Sequence, residues 1–214
     1  WLSAAERRVY LKPPGGRDPN GMSVEAKQHL SAIDLSDRSH IRLFGLAFRG
    51  GGLMTNKASS HLLLDGLKGE YTGHSYRHDV NANGSVAING KRIDIINCEF
   101  AHSSTTLLRL DGEDCRVANC YVHDGDYAGQ WAGTVRLRGR RHIVTRNTFR
   151  HSGRDLISTS GLAESIVEYN DLSHAGWLTR LAERLEDPLR RFRIPGGNLS
   201  GSVLQQWKRS LQRG

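Results

Sequence analysis

The chain has 214 residues, 24% of them charged and 37% hydrophobic, with a net charge of +8. That length suits one good-sized domain with an appendage, and the composition fits an ordinary soluble protein. No stretch approaches the roughly 18–20 consecutive apolar residues of a membrane-spanning helix, so a helical membrane span is excluded.

Residues 1–30 are expected to form a turn-rich lead-in, since "PPGGRDPNG" combines several turn-forming residues. A chain that begins at Trp1 reads as a fragment or a processed form, and it shows no signal-peptide pattern.

From residue 31 onward a pattern recurs. "AIDLS" at 32, "VAING" at 86, "LLRLDG" at 107 and "TVRLRG" at 134 alternate apolar and polar residues and end at Gly or Ser. Each predicts a half-buried strand followed by a turn. About nine to twelve residues later comes a second figure, an asparagine followed by a short apolar piece and a histidine. It reads "NCEFAH" at 97, "NCYVH" at 119, "NTFRH" at 147 and "NDLSH" at 170. "HIRLFGLAF" and "HLLLDGLKG" fit the same frame with Gly45 and Gly66 in the asparagine slot. Self-similarity with a basic period near 22 residues, stretched by insertions at 67–90 and 122–134, predicts a solenoid.

The expected unit is strand, tight turn, strand, asparagine, short apolar piece. Coils of parallel strands stack about 4.8 Å apart and bury a face that no single coil can bury. Asn97, Asn119, Asn147 and Asn170 are expected to line up at one sharp bend, where Asn and Gly both accept the left-handed backbone. Their amides can then bond from coil to coil. Four residues earlier, Ile93, Cys115, Ile143 and Ile166 are expected to form an inward ladder. A leucine-rich repeat would instead place leucines three and five residues before the asparagine. The three cysteines, an odd count, are expected to be free core residues.

After Trp177 the period stops. Leu178, Leu181, Leu185, Leu189 and Phe192 step by three and four residues, predicting an amphipathic helix interrupted at Pro188. Residues 178–214 therefore form a basic, partly helical extension, either a cap or unrelated sequence. The tail carries no nucleic-acid motif, so nucleic acid is not an expected partner.

With these motifs, residues 31–177 resemble the right-handed parallel β-helix proteins of the pectin-lyase-like fold. "RRVYLKPPGGRDPNG" and "SHIRLFGLAFRG" are similar to the lead-in segments of large β-helix proteins among the carbohydrate-active enzymes. The resemblance implies an all-β right-handed parallel β-helix of about six coils with a short helical C-terminal tail. It further implies a secreted or extracytoplasmic setting and a polysaccharide partner, bound and cleaved by a lyase or glycoside hydrolase in a lateral groove. A non-catalytic scaffold or glycan-binding protein is the alternative.

His102, His123, His151 and His174 are expected at matching places just past the bend. They serve either as acid/base or sugar-contacting groups, or as polar residues bonded to the neighbouring coil. "HDGDYAGQWAG" and "RHSGRD" gather carboxylates, cations and an aromatic ring on one side. The candidate catalytic residues are Asp124, Asp126, His151, Arg154 and Asp155; His123, Arg150, Trp131 and His174 are candidate substrate contacts. Aromatic faces pack on sugar C–H surfaces and Arg pairs with acidic sugars. Two carboxylates can divide acid and base roles. Asp124 and Asp126 equally suit a solvated "DGD" turn. No metal motif or cofactor fingerprint is present. Only Asp124, Asp126 and Asp155 could converge on Ca²⁺, and no ligand pattern supports that.

Overall fold

A computed structural model describes residues 2–3, 6, 8–11, 13–24, 29–73, 85–127 and 133–176. Trp131 and the helical tail expected over 178–214 lie outside them. The lead-in holds a short antiparallel pair, β1 (Leu2–Ser3) with β2 (Arg8–Val9), and two 3-10 turns at Pro14–Gly16 and Pro19–Gly21.

Eighteen further strands form six coils of three. The first coil is β3 (Ser31–Asp34), β4 (Arg42–Phe44) and β5 (Ala47–Arg49); the second is β6 (Gly52–Met54), β7 (Ser60–Asp65) and β8 (Lys68–Glu70). The third is β9 (Val86–Ile88), β10 (Lys91–Ile96) and β11 (Glu99–Ala101); the fourth is β12 (Leu108–Leu110), β13 (Arg116–Ala118) and β14 (Tyr121–Gly125). The fifth is β15 (Val135–Arg140), β16 (Ile143–Thr145) and β17 (Thr148–Ser152); the sixth is β18 (Ile157–Ala163), β19 (Ile166–Glu168) and β20 (Asp171–Ser173). First, second and third strands each pair in parallel with their equivalents, giving three six-stranded sheets. The chain is a right-handed parallel β-helix. Among the described residues no helix is long and apolar enough to cross a membrane.

The core is made of stacked inward columns. Leu53, Val86, Leu108 and Val135 stack through the first sheet, and Leu64, Ile95, Val117 and Val144 through the second. In the third sheet Phe48 and Phe100 flank Gly69, where a Cβ would meet both rings. Glycine there makes room for the Phe48 side chain. Cys98, Cys115 and Cys120 are free and buried, as expected.

Each coil turns at three corners that use the left-handed backbone. The first-corner residues are His40, His61, Arg92, Asp114, Arg141 and Glu164, with φ between 49° and 57°. The second-corner residues are Gly45, Gly66, Asn97, Asn119, Arg146 and Tyr169, and the third-corner residues are Gly50, Tyr71, His102, Asp124, His151 and His174. In every coil the three corners stand five residues apart. Five residues supply one short strand and one bend.

The second corner corrects the expected asparagine column. Thr145 pairs with Ala118 and Thr148 with Tyr121, so Arg146 lies over Asn119 and Asn147 over Cys120. Two half-ladders result. On the outside, Asn119 Nδ2 donates to Asn97 Oδ1 at 2.7 Å, and Asn97 Nδ2 to Asp65 Oδ1 at 2.7 Å. On the inside, Asn147 Nδ2 donates to Asn170 Oδ1 at 2.9 Å and to the Val117 carbonyl at 3.0 Å. Asn147 Oδ1 also accepts the Cys120 N–H at 2.9 Å. The outer asparagines make the bend themselves; the inner ones bond backbone groups that the bend turns inward.

The same step overturns the expected Ile93–Cys115–Ile143–Ile166 ladder. Ile143 and Ile166 point outward, 42% and 51% exposed. His142 follows Cys115 inward instead, at 1% exposure. Its Nδ1 accepts the Cys115 N–H at 3.2 Å and its Nε2 donates to the Arg138 carbonyl at 2.8 Å. A buried imidazole with both nitrogens bonded is a tolerated core residue.

Candidate functional site

Among the described residues, the third strands and the corners after them carry a group of titratable side chains on the outer surface. Strand alternation turns Lys68, Glu99 and Tyr121 outward in one column, and Glu70, His123 and Arg150 in the next. The third corner adds Tyr71, His102, Asp124, His151 and His174. His102, His151 and His174 therefore share one column, as expected. His123 does not: it lies one residue earlier, over Ala101 and under Arg150, while Asp124 takes the corner position. The extra residue comes from where the asparagine figure falls relative to the corner, which differs between coils.

His123 is held between two carboxylates. Its Nδ1 lies 2.5 Å from Asp124 Oδ2 and its Nε2 3.4 Å from Glu99 Oε1. Asp124 in turn lies between two imidazoles, with His151 Nδ1 3.5 Å from its other oxygen. The His151 and His174 rings follow at 5.0 Å. Glu99, His123, Asp124 and His151 thus form a continuous chain of proton acceptors and donors across three coils. A carboxylate beside an imidazole fixes the orientation of the ring.

Aromatic rings border this chain. Tyr121 stacks on His123 at 3.9 Å, and Tyr71 on His102 at 4.8 Å. The Arg49 guanidinium lies 4.7 Å over the Tyr71 ring. Tyr127 Oη is 2.9 Å from His102 Nδ1, and burial together with the Asp124 charge pushes the Tyr127 phenol up to about 12. Lys68 lies 3.4 Å from Glu99 and 3.5 Å from Glu70; the bond to Glu99 and both charges hold its ammonium above the ordinary lysine range. Arg150 pairs with Asp171 at 2.6 Å, which holds its guanidinium charged.

Of the candidates read from the sequence, the fold brings His123, Asp124, His151, Arg150 and His174 to this face. Asp126 is fully buried at the start of the connector after β14. Arg154 and Asp155 lie on the connector after β17 and face each other at 3.5 Å, and the Asp155 carbonyl accepts from Ser152 and Thr134. Glu99, Tyr121 and Tyr71 were missed. Their signal was two-residue alternation counted from the corner, which requires the correct register. Among the described residues no group of three His, Cys, Asp or Glu side chains is arranged to hold a metal ion.

Comparison with protein-family models, with curated proteins and with solved structures finds no match to this chain.

Proposed function

We propose that this chain is a carbohydrate-active β-helix domain that binds and cleaves a polysaccharide, by lysis or hydrolysis, along the lateral face of its third sheet. The observation that supports this is His123 bridging Glu99 and Asp124 on an exposed face bordered by stacked aromatic rings. In this reading substrate displaces Glu99 from His123 Nε2, which then accepts the proton while Asp124 holds the ring through Nδ1. His151 lies on the far side of Asp124 and extends the face onto the next coil. Tyr121 offers a ring face to sugar C–H surfaces, and Arg49, Lys68 and Arg150 supply cations for acidic substituents. A secreted or extracytoplasmic setting belongs to the same proposal.

The test is a panel of uronate-rich and neutral polysaccharides, followed by unsaturated-product absorbance and by reducing ends. Unsaturation marks a lyase; reducing ends alone mark a hydrolase. Asp124→Asn and His123→Ala should each lower kcat by about 100-fold or more, the ordinary range for a lost acid/base group. Rates within twofold of the parent in both variants would remove this site. Binding without product across the panel would favour the non-catalytic glycan-binding alternative.

A further inference from the structure

The second sheet presents a different outer face. One outward column runs Arg42, Leu63, Asp94, Arg116, Ile143, Ile166 from the first coil to the sixth. Ile143 and Ile166 leave much of their surface to solvent, as does Phe44 in the neighbouring column at 55%. Asp94 and Arg116 are direct register partners on adjacent strands. Among the described residues neither makes an ion pair, with the other or with a third group. A flat face with stranded apolar side chains and two unused opposite charges at its centre is suited to a partner.

We propose that the partner is a second copy of this chain, docked about a two-fold axis that runs along the strands between the third and fourth coils. That rotation reverses the order of the coils and leaves each column facing itself. Coil three then covers coil four of the other copy. Asp94 meets the partner's Arg116, and by symmetry Arg116 meets the partner's Asp94. Leu63 meets the partner's Ile143, Ile166 lies against the partner's Arg42, and Phe44 against the partner's Glu168. At the edge, Arg92 meets the partner's Asp114. Moving the axis by half a coil places Arg116 on the partner's Arg116 and Asp94 on the partner's Ile143, so charge selects one register. The contact is isologous, the commonest form of oligomer interface. Six strands at about 4.8 Å span only about 24 Å, so the contact area is modest and the dimer weak.

Sedimentation velocity of the 214-residue chain at low salt, over a concentration series reaching hundreds of micromolar (order of magnitude for a weak interface), tests this. The parent should show reversible dimerisation that weakens as salt rises. Arg116→Asp and Asp94→Arg, each confirmed as folded by circular dichroism, should separately raise the dissociation constant at least about tenfold. An equimolar mixture of the two variants should dimerise again, because both contacts then pair opposite charges. A parent that stays monomeric throughout overturns the proposal. So does a dimer indifferent to both substitutions, or a mixture that stays monomeric.

Discussion

Inside the fifth coil an imidazole, His142, stacks on the thiol of Cys115. Burial holds His142 below the ordinary histidine value of 6.5. Protonation would also add a hydrogen to Nδ1, which already accepts the Cys115 N–H. The native state therefore resists a proton that the unfolded chain accepts. Stability is full above about 6.5 and falls as pH drops below it, with a limiting slope near 1.4 kcal/mol per pH unit for one proton. Urea midpoints measured between pH 7.5 and 5 should fall in the parent and fall less steeply in His142→Gln. Parallel curves would show that another group governs the acid limb. His142 was hidden in the sequence, because a histidine beside Ile143 is assigned to the surface when the strand register is taken one residue late.

At the scale of the element, the second corner separates two uses of asparagine. Asn147 is 1% exposed and bonds the Cys120 N–H and the Val117 carbonyl, whereas Asn97 and Asn119 form an outer ladder. Asn147→Ala leaves the Cys120 N–H unpaired in the interior, at about 1–3 kcal/mol, while the Val117 carbonyl keeps its strand-ladder bond from the Thr145 N–H. Asn119→Gly keeps the left-handed bend (φ 53°) and loses exposed amide bonds, at well under about 1 kcal/mol. Chemical unfolding should rank the two variants in that order; equal losses would mean that the inner and outer ladders carry the same weight. Coil number and strand alternation were legible in the sequence, because buried columns demand Val, Ile and Leu at every second position. The one-residue step between the fourth and fifth coils was not. Arg146 and Tyr169 adopt the left-handed corner with no residue type to announce it, and Asn147 copies the appearance of a corner residue while occupying the position inside it. The misplacement of His123 beside the other histidines has the same origin.

For the whole molecule, stability rests on stacked neighbours rather than on one central nucleus of side chains. Cys98, Cys115 and Cys120 report on the middle of that stack. All three are buried, and burial pushes the Cys115 thiol up to about 11. The native protein should therefore react negligibly with an aromatic disulfide reagent at pH 8. In rising urea the three thiols should become reactive in one transition coincident with the loss of β-sheet circular dichroism. Separate labelling steps would show that the coils open one after another. Along the first corner, charges alternate between coils: Arg141 lies 2.6 Å from Asp114, and Arg140 and Lys91 lie 3.0 and 3.6 Å from Glu113. Such exposed pairs add little stability individually, and they serve to keep neighbouring coils in phase.

The equal spacing of the three bends leaves every difference in coil length to a single seam, from the third bend of one winding to the first bend of the next. That stretch runs from eleven positions, Gly50 to His61, to twenty-one, Tyr71 to Arg92. New sequence can be spliced into the seam without disturbing the gauge of the rod. Because the seam departs from the histidine-bearing edge, sequence added directly after the third bend starts beside the same titratable groups. A lineage built on this frame could refit its chemistry loop by loop while the rod beneath stays as it was.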